Sequence, residues 1–256
     1  MDKIIEGFRS FHPLSYSAFA IYGILVVYIA AIILSRQKKV EWMRLIPAMI
    51  FSFVGLAIGA KLFGIISYAT YYYQDGGTGI VELYTRSGFV FYGGLLGYLL
   101  SLSFLLPRFF KGSDYSIPKD IAAATIPLFH GIARIGCFFG GCCYGLPYDG
   151  PLCIHVIIDG VETTHFPVML IESAFNFLLF AALLVLLFKF ERTRGKLTSI
   201  YLYSYSIFRF IIEFFRGDEV RGGFGPLSFS QYVSIIILVC LIVSEVKAIK
   251  RRKASA

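Results

Sequence analysis

Seven stretches of this chain stay apolar for about twenty residues each, and nothing else in the sequence limits the possible folds so strongly. They fall at about 15–35, 44–68, 88–107, 120–140, 167–189, 197–214 and 229–247. A helix needs ~20 apolar residues to cross the hydrocarbon of a bilayer. The runs are continuous, not alternating, and too long for the ~10-residue strands of a membrane barrel. The expectation is an all-α polytopic membrane protein with about seven transmembrane helices, forming a single integral membrane domain over residues 1–256. Composition agrees. Hydrophobic residues make up 57% of the chain and charged residues 16%, against ~25% charged in a soluble domain. So few charges cannot cover a water-facing surface, and so much apolar surface excludes a disordered coil. Five cysteines in 256 residues are too sparse for a disulfide scaffold. The first run is too long for the apolar core of a removable signal peptide, and further spans follow it.

The net charge of +8 would suit nucleic acid if it were gathered on one face. Instead it alternates between loops. Arg36, Lys38, Lys39 and Arg44 follow the first run; Arg108, Lys111 and Lys119 follow the third; Lys189, Arg192, Arg194 and Lys196 follow the fifth; Lys247, Lys250, Arg251, Arg252 and Lys253 follow the seventh. The intervening segments hold only Lys3, Arg9, Arg86, Arg216 and Arg221. The positive-inside rule then puts the N-terminus outside and the C-terminus in the cytoplasm. The basic tail is expected against anionic membrane lipid, with no nucleic-acid partner.

Lys61, Arg134 and Arg209 lie inside the runs, together with Glu172 and Glu213. Charges in a span are costly and face a bundle interior or a cavity. In the orientation above, the second, fourth and sixth spans run outward, and the three cations fall late in them. The fifth runs inward and Glu172 falls early; Glu213 sits at the outer end of the sixth. All five are therefore expected in the outer half of the bilayer, lining a charged cavity open to the extracytoplasmic side. Ion pairs that tie helices together are the plainer account of the same charges.

Chemistry is densest at His130-Gly-Ile-Ala-Arg134-Ile-Gly-Cys137-Phe-Phe-Gly-Gly141-Cys142-Cys143-Tyr144-Gly145. His130 and Arg134 are four apart and Arg134 and Cys137 three apart, so they share a helix face. Gly140 and Gly141 weaken the helix, and Pro147 and Pro151 follow in a loop. A base, a permanent cation and a thiol thus meet at one end of a span. Arginine suits capture of phosphate oxygens, and Arg209 with Glu213, also four apart, forms a second such unit in which the carboxylate orients the guanidinium. Gly55-xxx-Gly59, and Gly88, Gly93, Gly94 and Gly97 around Tyr92, have the spacing of closely packed membrane helices. For Cys137, Cys142, Cys143 and Cys153, a disulfide, a nucleophile and simple packing all stay open. The spacing is not that of a zinc knuckle, and adjacent cysteines make an awkward pair for one ion, so no metal and no cofactor are expected. Cys240 lies mid-span and reads as packing. His12, His155 and His165 read as loop histidines, His165 with some reserve because it precedes Pro167 and Glu172.

These residues resemble the prolipoprotein diacylglyceryl transferase family along nearly the whole chain. Gly88 to Gly97 looks like the family segment in which a catalytic His precedes two glycines. Arg134 to Gly145 looks like its signature Arg-Ile-Gly-Asn-Phe, two residues, Gly-Glu, two residues, Gly. Pro167 with Glu172 matches a Pro-x-x-x-x-Glu segment, and Phe208-Arg209-Phe210 through Glu213-Phe214-Phe215-Arg216 is similar to its Arg-Phe-x-x-Glu-Phe-x-Arg run. The departures are specific. Tyr92 stands for the family's His, Cys137 for its Asn, Cys142 for its Glu, and Lys61 where Arg is frequent. The chain resembles a divergent, cysteine-rich branch of the family.

The resemblance implies transfer of a diacylglyceryl group from phosphatidylglycerol to a prolipoprotein cysteine, at the outer side of a bacterial plasma (inner) membrane. A thioether forms and glycerol phosphate leaves. Arg134 and Arg209 would bind phosphate, with Glu213, Lys61, Glu172, Gly93, Gly94 and Gly145 shaping the substrate site. His130 or Tyr92 would move the proton, which makes His130→Gln an inactivating change. Two alternatives follow from the departures: a covalent intermediate on Cys137 or Cys142 with another acceptor, or a phospholipid-binding membrane protein without catalysis.

Overall fold

The computed structural model describes residues 12–74, 76–158, 160–217, 223–224 and 226–254. Lys3, Arg9 and Arg221 lie outside the described residues, as do the side chains of His12, Arg252 and Lys253. The described chain forms helices α1 (His12–Gln37), α2 (Trp42–Gln74), α3 (Ile80–Arg86), α4 (Phe91–Phe109), α5 (Ser116–Phe139), α6 (Val168–Lys189), α7 (Leu197–Ile212) and α8 (Phe229–Ala254). Two small antiparallel hairpins, β1 (Ile154–Ile158) with β2 (Val161–His165) and β3 (Gly223–Phe224) with β4 (Leu227–Ser228), occupy loops.

Every expected apolar run is matched by a helix. Five are long and apolar enough to cross a bilayer alone: Ala18–Gln37, Trp42–Gln74, Ser116–Phe139, Val168–Lys189 and Phe229–Arg251. The run at 88–107 is α4, which meets α3 at a 93° bend, and the pair makes a sixth candidate. The run at 197–214 is α7, only 16 residues long. At 1.5 Å per residue it covers about 24 Å, and the 3₁₀ turn Glu213–Phe215 that continues it adds about 6 Å. The chain is a polytopic, helical membrane protein. Its apolar side chains are displayed, not hidden: Ile21, Leu25, Ile29 and Ile33 form an exposed stripe along α1. Lipid, being as apolar as leucine, leaves such a stripe no reason to turn inward.

The chain forms two compact units. The first holds α1, α5, α6, the start of α7, the β1–β2 hairpin and the segment after α7. Helix α5 is its inner element, packing on both α1 and α6; 72% of its span is buried, against 28% and 33% for theirs. Small residues permit this. Gly23 of α1 lies against Phe129, Gly136 of α5 against Phe19, and Gly131 against Phe177. At the far end, buried Asp120 accepts from the backbone N–H of Leu197 at 3.0 Å and of Gly195 at 2.5 Å, satisfying donors at the start of α7.

The second unit holds α2, α3, α4, the rest of α7 and α8. Helices α2 and α4 meet backbone to backbone at the glycines read from the sequence. A Cβ on Gly59 would run into the carbonyl of Gly93, and one on Gly97 into the carbonyl of Gly55. At the α3–α4 break, the N–H of Val90 donates to Ala60 O at 3.1 Å and Lys61 Nζ donates to Ser87 O at 2.5 Å. These bonds satisfy backbone groups that a bent span would otherwise leave bare in lipid. Helix α8 opens with a reciprocal cap: Ser228 N–H donates to Gln231 Oε1 at 2.9 Å, and Gln231 N–H to Ser228 Oγ at 3.3 Å.

Replacing Gly59 with Val should cost about 1–3 kcal/mol through overpacking. A thermal melt of the purified protein in detergent would read this as a lower midpoint, and an unchanged midpoint would mean that α2 and α4 do not touch there.

Candidate active site

Helix α5 ends where Gly140 and Gly141 said it should, and the way it ends builds a site. Gly141 takes φ +63°, which costs glycine nothing. Its N–H donates to Phe138 O at 3.2 Å, and the N–H of Cys142 donates to Cys137 O at 3.2 Å. This paired closure is a Schellman motif, which lays the residue after the glycine over the last turn of the helix. Here those residues are Cys142 and Cys137. Cys143 then adopts φ +63° as well, a conformation uncommon for a residue with a Cβ. The result is that the sulfurs of Cys137, Cys142 and Cys143 all lie within 4.8 Å of one another, unbridged. Cys137 is buried and Cys142 exposed. Cys153 is not part of this group. Among the two thiols beyond the helix, that of Cys143 is pushed below its ordinary range by hydrogen bonds from the Cys137 and Cys142 thiols and by the Arg134 and Arg216 charges. That of Cys142 is pushed up by its hydrogen bonding to the Cys137 and Cys143 sulfurs and by burial.

One turn earlier, Arg134 is buried at 8% exposure and Glu172, on α6, at 0%. Glu172 takes one edge of the guanidinium: Oε2 lies 2.8 Å from Nε and Oε1 3.5 Å from Nη2. His130 Nε2 accepts from Arg134 Nε at 3.2 Å, and Nη1 points to Cys137 Sγ at 3.9 Å. The base, cation and thiol of one helix face are thus in contact, as their spacing predicted. The contact with Glu172 also shows that Arg134 and Glu172 share one depth, although their helices run in opposite directions.

The loop beyond the cysteines is held by His165, which is buried and more involved than a loop histidine. Its Nδ1 donates to Gly145 O at 2.7 Å, Nε2 lies 2.9 Å from the Thr163 hydroxyl, and its ring packs on Tyr144 at 4.6 Å. Gly145 is threaded between Phe166 and Phe215, whose carbonyls leave no room for a Cβ. The β1–β2 hairpin closes this region: Ile154 and Val156 pack on Cys137 and Met169. His155 instead pairs with Glu162 on the exposed side of that hairpin. Sequence reasoning missed the hairpin, although Asp159-Gly160 between two β-branched runs is a hairpin signal.

The remaining residues belong to the second unit. Arg209 pairs with Glu213 at 2.6 Å, both buried, as the four-residue spacing predicted. Arg209 Nη2 also donates to Ser230 Oγ at 3.4 Å. Tyr92 is 2% exposed. Its hydroxyl lies 2.6 Å from Ser234 Oγ and its ring meets Tyr205 at 5.5 Å. Ser234 in turn donates to Ser230 O at 2.8 Å. Ser230 and Ser234, four apart in the first two turns of α8, are the polar residues that sequence reasoning overlooked; that spacing was the available signal. Lys61 sits over the rings of Tyr84 and Phe89 at 4.5 and 5.1 Å. Gly93 and Gly94 face α2, where a Cβ would meet Gly59 and Phe63, or Ala60 and Leu56.

These observations define a helical, multi-pass membrane protein that buries two arginines against carboxylates. The chain belongs to the prolipoprotein diacylglyceryl transferase family, whose sequence model matches residues 5–246. It is 26% identical to a phosphatidylglycerol–prolipoprotein diacylglyceryl transferase of Finegoldia magna over 247 residues, covering 96% of both chains. It is 29% identical to a second protein of that description from Clostridium perfringens, over 93% of both. A Geobacter sulfurreducens relative of the same description is 28% identical over 88% of both.

Removing Glu172 should strand the Arg134 charge. Breaking a buried pair from one side costs about 3–5 kcal/mol, so Glu172→Ala should melt far below the parent in detergent, with Glu172→Gln between them. Equal melting of all three would show that the pair does not hold α5 to α6.

Proposed function

We propose that this chain moves the diacylglyceryl group of phosphatidylglycerol onto the thiol of a prolipoprotein cysteine, as a single integral domain of the bacterial plasma membrane. The family match and the names of its full-length relatives support the substrates. The alternating basic loops support seven spans with the N-terminus outside and the reaction at the outer side.

The observation that carries the reading is the grip of Glu172 on Arg134. The phosphate leaves as its ester bond to the glyceryl carbon breaks, and negative charge grows on the departing oxygen. A guanidinium whose direction is already set stabilises that charge without reorganising. Arg209, set by Glu213 in its own unit, is a second such cation. Burial in an apolar bundle strengthens both effects.

His130 acts through Arg134. Its Nε2 lone pair already receives the Arg134 Nε–H, so it serves as a positioning residue, in place of the base expected from spacing. Tyr92, tied to Ser234, supports the Arg209 side by packing and hydrogen bonding. Lys61 steadies the α3–α4 bend.

Complementation tests the function. The chain should restore lipoprotein modification in cells depleted of their own enzyme; a chain that accumulates in the membrane and restores nothing would leave only a phospholipid-binding protein. Arg134→Lys, which loses the planar fork, should lower kcat/KM about 10²-fold or more. His130→Gln keeps an acceptor for Arg134 and should retain most activity where His130→Ala loses it. Equal loss in both would make His130 the base after all.

A further inference from the structure

Thioether formation needs the acceptor sulfur as a thiolate, and the positioning role of His130 leaves that deprotonation without an assigned group. The three-cysteine cluster supplies one. We propose that Cys137, Cys142 and Cys143 form a three-sulfur site for a thiophilic divalent cation of the zinc type, with the fourth position taken by the acceptor thiol. The three-sulfur site stands on geometry; the identity of the fourth ligand rests on the transferase reading.

Sulfurs bound to zinc at ~2.3 Å in a tetrahedron lie about 3.8 Å apart. These three lie within 4.8 Å, so side-chain rotations of about 1 Å close the set. The backbone is arranged for it. The Schellman turn at Gly141 stacks Cys142 on Cys137, and φ +63° at Cys143 swings the adjacent side chain back to the same point. Adjacent cysteines are awkward co-ligands only while the chain between them is extended, and here it is not. Holding a non-glycine residue in that region is strained, and such strain clusters at functional sites. Arg134 Nη1, 3.9 Å from Cys137 Sγ, provides the outer N–H contact that orients ligands and offsets their charge. Among the described residues the group contains three sulfurs and no fourth ligand atom, and Cys142 brings it to the surface. Three protein ligands with an open position is the pattern of a catalytic zinc site.

The step balances without an oxidant. The acceptor thiol binds at the open position and gives its proton to water, becoming a metal-bound thiolate. Its sulfur lone pair forms the new C–S bond while the C–O bond to phosphate breaks, and that electron pair leaves on the phosphate oxygen as glycerol phosphate. The cation keeps its oxidation state, and the neutral thioether, a weaker ligand, is released.

Cobalt(II) reads the site without turnover. Full-length protein in detergent, reduced and stripped with chelator, should take up a single cobalt per chain with a thiolate-to-cobalt charge-transfer band. Cys142→Ser, at an exposed position, and Cys143→Ser should each weaken binding tenfold or more. A peptide carrying a lipobox-type cysteine should then change the visible d–d bands, and its serine counterpart should not. Thiols that titrate as reduced without any such band, or thiols found paired in a disulfide, would overturn the site; a band indifferent to the cysteine peptide would overturn the acceptor thiol as its fourth ligand. Undiminished lipidation by protein shown to be metal-free would overturn the inference and leave the transferase intact. The cobalt and peptide responses without lipidation in complemented cells would instead sustain the site and overturn the transferase reading.

Discussion

Arg134 is a buried charge on which much of the first unit depends. A guanidinium on α5, buried against α6, cannot shed its charge, and without a partner it would cost several kcal/mol even after relaxation. Glu172 supplies the counter-charge at 2.8 Å from a neighbouring helix. The pair ties α5 to α6 at one depth and sets the direction of the guanidinium. His130 and Cys137 find their places because they are one turn either side of that arginine. The small residues of α5 serve the same packing: Gly131 and Gly136 let Phe177 and Phe19 close against the helix that carries the charge.

Away from charge, the bilayer imposes a different rule, since any backbone group left bare in lipid is costly. The bonds from Val90 to Ala60 and from Lys61 to Ser87 at the α3–α4 bend are responses to it. The capped start of α8 and the tether from Asp120 to the start of α7 satisfy helix-end donors in the same way. Strain is tolerated at Cys143, where the chain gains a cluster of three sulfurs in exchange. That exchange is what sets the loop after α5 apart from an ordinary helix end.

The candidate site was partly legible because its strongest contacts are local. His130, Arg134 and Cys137 share a helix face by spacing, and Arg209 and Glu213 pair for the same reason. Tyr92 was harder to place: one tyrosine among seventeen says nothing about which serine it will meet 142 positions later. His165 looked like a loop residue because its partners, Gly145 and Tyr144, are brought to it by a hairpin. The cysteines looked unsuited to a common ligand because spacing alone does not show a left-handed residue between two sulfurs.

The sequence by itself determined that this is a helical membrane protein, that its charges alternate between loops, and which residues would stack on one helix face. Those follow from run length, from the cost of charge in hydrocarbon, and from a repeat of 3.6 residues, all of which are written along the chain. Only the tertiary structure decided that Glu172 is the partner of Arg134, that Ser230 and Ser234 serve Arg209 and Tyr92, and that three sulfurs converge beyond α5. Each of those depends on contacts between elements or on a single backbone angle, and neither leaves a periodic trace in the order of residues.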